Sequence, residues 1–204
     1  MKTLQKILSE GLLEDIEHKK LAEHYNNYSD DHKTILKDYG EESSSMNSTL
    51  WSRHHGNPYE TGENYHKKDF EHMDSAMEAH KTPHEMTVHS GTIHDPRKMK
   101  NSEGIVHHPA YMSTSLDPHV AHTFAYRQAT HESSNDMHTL HINVPAGSKG
   151  AYTGHLGGTH HISEKEFVLP KGSNLKYHRT DVDYNGYTRN DQTFDVYHHH
   201  MSVE

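Results

Sequence analysis

The chain has 204 residues, only 30% of them hydrophobic, and its 20 Lys and Arg against 29 Asp and Glu give a formal charge of −9. That length suits one domain, or one domain with a helical extension, and the low apolar content predicts a modest core under much solvated surface. With no cysteine there are no disulfides or thiolate metal sites; no polybasic run suits specific nucleic-acid binding, and no apolar run approaches the ~20 residues of a membrane span.

The opening "MKTLQKILSEGLLEDIE" is amphipathic and acidic, unlike a signal peptide. Leu4, Ile7, Leu8, Leu12, Ile16 and Leu21 fall mostly at helical spacing, with a break or kink at Gly11. This predicts an N-terminal helical extension over 1–28, followed by one domain over 29–204. "SDDHKTILKDYG" predicts a second helix, capped by Ser29 and ended by Gly40. A short helix follows around Met46 to Trp51, then a polar loop. "HKKDFEHMDSAMEAHK" predicts a further helix with Phe70, Met73 and Met77 on one face.

From Met86 the pattern changes to short strands. "EMTVHSG" predicts a strand stopping at Gly91, and "AYMSTSL" a second one. "DPHVAHTFAYRQAT" reads as a helix opened by Asp117 and Pro118, a cap followed by Pro at the first turn. "HTLHINVPAG" alternates with period two, turning Leu140, Ile142 and Val144 inward. "KEFVLPKGSNLKYHR" predicts a strand pair, and Asn185-Gly186 signals a hairpin turn near the end. Helices followed by strands make the class α+β.

Histidine stands out, at 25 residues. Its short runs, at 53–55, 106–108, 159–161 and 198–200, are dispersed rather than set at zinc-ligand spacing, so no metal site is expected. The histidines read as neutral polar surface groups. Protonation near pH 6 then moves the net charge towards zero or above.

Two short motifs carry candidate chemistry. In an extended segment, Glu164 and Glu166 point to one side while Lys165 points away. Such a pair can divide its work between stabilising a developing cation and orienting a nucleophile; alone, it also fits a solvated polar edge. Ser113, Thr114 and Ser115 end a strand, where hydroxyls can bond a carboxylate, a ligand or simply the backbone.

Together, a Gly-ended strand at 86–91, Ser-Thr-Ser at 113–115 and Glu-x-Glu at 164–166 resemble the mono-ADP-ribosyltransferase family, with the binary-toxin and bacteriophage enzymes as the nearest likeness. "YMSTSLDPHVAHTFA" is similar to the family's Ser-Thr-Ser strand and following helix, "EKEFVLPKGSNLKY" to its catalytic-glutamate strand, and "YGEESSSMNSTLW" to the short helix before the core. The likeness runs over roughly 30–197. It implies a mostly antiparallel two-sheet core and NAD as the cofactor. It further implies that Glu166 holds the 2′-hydroxyl of the nicotinamide ribose and stabilises the ribosyl cation. Glu164 would face the acceptor, and Glu at that place goes with arginine. Ser113 would brace Glu166, with Thr114 and Ser115 beside it. Phe124 would stack on nicotinamide, Arg127 reach the NAD phosphates, and Gly91 allow close backbone approach. "GAYTGHLGGTHHIS" (150–163) would be the loop that recognises the target protein. A soluble effector modifying a host protein in host cytoplasm, or packaged in a phage particle, fits this picture.

One departure matters. The family carries Arg, or in one branch His, just before the glycine; here Ser90 precedes Gly91 and His89 precedes Ser90. Three readings stay open: His89 bonds the NAD ribose from a register one residue off, Arg97 or Arg53 supplies the charge, or NAD binding is weakened. The last would suit a non-catalytic structural component that docks on an assembly partner through its N-terminal segment.

Overall fold

The computed structural model describes residues 18–56, 66–154, 156 and 164–204. The expected helix before residue 18, and most of the expected target-recognition loop, lie outside the described residues. Among the described residues the main elements are α1 (18–25), α2 (Asp30–His54), α3 (Lys67–Ala79), β1 (Met86–Thr92), α4 (Pro96–Met99), β2 (Ile105–His108), β3 (Met112–Ser115), α5 (Pro118–His131), β4 (Asp136–Val144), β5 (Ala151–Tyr152), β6 (Glu166–Leu169), β7 (Ser173–Arg189) and β8 (Gln192–Val203). No described helix is long and apolar enough to cross a membrane.

The predicted second and short helices are one element, α2. Ser29 caps it as expected, its side chain accepting the His32 N–H at 3.2 Å. Gly40 does not end it. A mid-helix glycine costs about 1 kcal/mol against Ala, and burial of Ile35, Leu36, Tyr39, Met46 and Leu50 along the same helix outweighs that. Residues 18–28, the described part of the expected extension, give Leu21, Tyr25 and Tyr28 to the same core. The helix at 67–79 buries Phe70, Met73, Ala76 and Met77.

The strands form one sheet in the order β2-β7-β8-β4-β1-β3-β6-β5. All pairings are antiparallel except β4 with β8. Two sheets were expected. Instead β1 and β3 join the two blocks through a single pair, His89 opposite Ser115. The α+β class holds. Leu140, Ile142 and Val144 are buried as their alternation predicts, in the large core shared with α1, α2 and α3. A smaller core of Ala125, Ala129, Met137, Phe194 and Val196 lies under α5.

The hairpin turn falls at Asn190-Asp191, both left-handed (φ 50° and 61°), between paired Arg189 and Gln192. Asn185-Gly186 instead sits in a bulge within β7, where the register shifts between Asp183 and Tyr187. The Asp195 carboxylate accepts the Asn185 N–H at 2.8 Å there, giving the left-handed residue a partner.

Candidate active site

A cleft of about 690 Å³ opens where β1, β3 and β6 meet, walled by α2 and α5. Ten residues singled out in the sequence line it: Glu164, Glu166, Ser113, Thr114, Ser115, His89, Ser90, Gly91, Phe124 and Arg127. The sheet register explains the meeting. Ser115 pairs with Glu166 and Ser113 with Val168, so the hydroxyl strand and the glutamate strand are neighbours.

Glu166 is buried at the start of β6. Its Oε2 accepts the Thr153 hydroxyl at 2.6 Å, and its carbonyl accepts the Thr153 and Gly154 N–H groups. Glu164 does not reach the cleft by strand alternation. It is helical, and the turn residue Lys165 between it and β6 is left-handed (φ 45°). The Leu116 N–H donates to the Lys165 carbonyl at 3.1 Å, and the Ser115 hydroxyl to the Glu164 carbonyl at 2.5 Å. The pair therefore shares a wall because β3 pins the turn.

The three hydroxyls have separate surroundings. Thr114 donates to the Phe167 carbonyl, joining β3 to β6. Ser115 holds the Glu164 turn and accepts the Asp117 N–H at 2.9 Å, which sets the start of α5. Ser113 is the exposed one, and its hydroxyl lies 3.1 Å from the Tyr39 hydroxyl. Asn47 donates to Tyr39 at 3.1 Å. Burial pushes the Tyr39 phenol up to about 12, and the charge of Glu166 adds to that, so Tyr39 stays a neutral bridge. Tyr39, Asn47 and Thr153 were missed. An i, i+4 stripe of Ser43, Asn47 and Trp51 was present in the sequence, but a helix ended at Gly40 hid it.

On β1, Ser90 donates to the Ser113 carbonyl at 3.2 Å and so ties β1 to β3. His89, one residue earlier, has its Nδ1 3.0 Å from Nδ1 of His141. Burial lowers His89 to about 4 and keeps it neutral. The sequence placed close approach at Gly91, and the close neighbour is α5: an added Cβ would meet the Ala121 carbonyl oxygen and the Ala125 nitrogen, each at 2.3 Å. Ala121, Ala125 and Ala129 form the small face that allows this.

Neither Arg97 nor Arg53 lines the cleft. Arg97 grips both carboxylate oxygens of Asp95 and lies over the Tyr197 ring, and Arg53 lies over Phe70. Arg127 is the one Arg or Lys among the described lining residues. Its guanidinium is 5.8 Å from the centre of the half-exposed Phe124 ring. A wall with a carboxylate pair, a mouth with an aromatic ring and a cation, and a neutral polar floor suit a ligand with a sugar, a flat ring and phosphates.

The family model described as ADP-ribosyltransferase exoenzyme matches residues 14–193. Among curated proteins, none matches the sequence. Among solved structures the chain resembles Plx2a, an ADP-ribosyltransferase toxin from Paenibacillus larvae, at 16% identity and TM-score 0.69 over 94% of this chain and 96% of that one. It resembles the Clostridium limosum C3 exoenzyme at 18% identity and TM-score 0.66 over 94% and 93%. It also resembles BECa, from a binary enterotoxin of C. perfringens and solved with NADH, at 14% identity and TM-score 0.69 over 97% of this chain and 48% of that one.

Proposed function

The chain belongs to the ADP-ribosyltransferase exoenzyme family, and from that premise we propose that it is an active enzyme that moves ADP-ribose from NAD⁺ to an arginine side chain of a host protein. The observation that carries this is the gathering of all ten candidate residues on one open cleft. BECa, which shares the fold, was solved with NADH, and this supports a nicotinamide dinucleotide as the ligand.

Phe124 stacks on the nicotinamide, and Arg127 meets the pyrophosphate with the charge that β1 does not supply. Glu166, held by Thr153, bonds the ribose 2′-hydroxyl and opposes the positive charge that grows on the ribose as the glycosidic bond breaks. Nicotinamide leaves with the electron pair of that bond. A guanidine nitrogen of the acceptor then attacks the anomeric carbon, forming the new C–N bond, and its proton passes to Glu164. Fixed charge aimed at a developing cation is the main source of acceleration. The role of Ser113 is to brace the ribose and Glu166, backed by Tyr39. An open cleft favours this reading over a purely structural one, which needs no cleft. Delivery by a phage particle remains part of the proposal.

The test is nicotinamide release from NAD⁺, with and without an arginine-rich acceptor. Glu166→Gln should lower release by about 10²–10³-fold. Glu164→Gln should abolish transfer to arginine and keep part of the NAD⁺ hydrolysis. Equal loss of both activities in Glu164→Gln would overturn the assigned division of roles. No release and no NAD⁺ binding by the unaltered protein would overturn the enzyme.

A further inference from the structure

The fold gathers a second polar cluster away from the carboxylate pair. Asp95 caps the short helix α4, His138 lies on β4 and His199 on β8. All three are buried, at 9%, 6% and 0% exposure, and one potential ligand atom from each lies within 4.8 Å of the others. No two of the three are near in sequence, so ligand spacing could not reveal them.

The internal geometry suits an ion. His138 Nδ1 and His199 Nε2 are 3.0 Å apart. Two nitrogens each ~2.0–2.1 Å from one ion are separated by that much when the angle between them is about a right angle, the cis angle of a six-coordinate centre. Two of the three ligands, His199 and Asp95, also have an outer partner, as metal ligands generally do. His199 Nδ1 lies 2.8 Å from the Thr180 hydroxyl, itself 2.8 Å from the Tyr177 hydroxyl. With Nδ1–H donating to Thr180, the Nε2 lone pair faces His138. Asp95 is oriented by Arg97, whose backbone N–H, Nε–H and one Nη–H reach it. The Nε–H is shared between both oxygens, at 2.8 and 3.0 Å, so an ion would take the place of the longer branch of that shared bond.

We propose that Asp95, His138 and His199 bind one divalent first-row transition ion, which ties the turn before α4 to the parallel β4–β8 pair. Two imidazoles and one carboxylate suit Zn²⁺, Co²⁺, Ni²⁺ or Fe²⁺. Ca²⁺ and Mg²⁺, which take oxygen ligands, are excluded by the same donor set. The ion replaces the proton shared between the two rings. His138 moves that proton to Nε2, so both imidazoles stay neutral and no proton need leave.

The test uses the whole chain, stripped with EDTA and titrated with Co²⁺ and Zn²⁺, with Mg²⁺ as control. One equivalent should bind saturably, with a Co²⁺ visible spectrum. At about 100 times Kd, Tm should rise by about 5–10 °C, and Mg²⁺ should leave Tm unchanged. His138→Gln and His199→Gln should each weaken binding by more than about 100-fold, beyond the loss expected of an outer partner. His200→Gln, a histidine paired with Asp181 at the surface, should bind as the unaltered protein does. Should the buried variants fail to fold, Asp95→Asn and paramagnetic broadening by Co²⁺ in the unaltered protein decide. Broadening centred on Asp95, His138 and His199 supports the site. Absence of one-equivalent binding, equal binding in Asp95→Asn, or broadening centred on surface histidines overturns it.

Discussion

The Thr153 hydroxyl helps to aim the buried Glu166 carboxylate. Its 2.6 Å bond to Oε2 is charge-assisted and in a buried site, where such bonds contribute about 1.5–3 kcal/mol. Thr153→Val should lower kcat for nicotinamide release by about 10–100-fold with little change in the KM for NAD⁺, and Thr153→Ser should restore most of it. Steady-state kinetics on the three proteins checks this; a pure KM effect would count against aiming. Gly91 makes a second residue-scale prediction. Its added Cβ would meet α5 backbone that cannot move independently. Gly91→Ala should therefore destabilise the fold by about 1–3 kcal/mol, measured by urea unfolding.

At the scale of elements, local signals were reliable where one residue determines the geometry. Ser29 and Asp117 were legible as caps because a short polar side chain opposite free N–H groups works whatever packs above it. Gly40 and Asn185-Gly186 misled because their local preferences were overridden. A buried stripe carried α2 through the glycine, and the pairing of β7 with β8 moved the turn to Asn190-Asp191. That turn holds two non-glycine residues in the left-handed region, which costs about 1–2 kcal/mol per residue for an ordinary side chain and less for Asn and Asp. Asp191→Gly should thus raise Tm by about 1–3 °C. Thermal melting followed by circular dichroism would show it, and a fall in Tm would mean that the Asp191 side chain supports the turn.

Across the whole molecule, the histidines expected at the surface partly occupy the interior. His89, His141 and His198 form a chain between the sheet and α5, with nitrogen separations of 3.0 and 3.1 Å. Burial lowers His89 to about 4 and His141 to about 3, where the neighbouring His89 adds to the effect. Unfolded histidine titrates near 6.5. Between that value and the folded ones, the unfolded chain binds more protons, so stability is full above pH 6.5 and is lost as pH falls towards 4. Each of these two groups adds a slope of up to about 1.4 kcal/mol per pH unit in that window. Urea midpoints at pH 7.5, 6, 5 and 4.5 should fall steadily. A flat profile would mean that these rings take up protons alike in the folded and unfolded chain.

The α+β order, the caps, the inward face of β4 and ten of the residues that line the cleft were legible in the sequence, because each depends on residue type at short spacing or on a motif order. What only the tertiary structure decided was how those residues meet. The Glu pair shares a wall through a turn pinned by β3, the hydroxyl triplet divides into one exposed and two backbone-holding groups, and Tyr39, Asn47 and Thr153 join from distant elements. Asp95, His138 and His199 likewise converge from separate elements. Strand register and helix crossing bring such groups together across long stretches of chain, and no spacing within one segment encodes them.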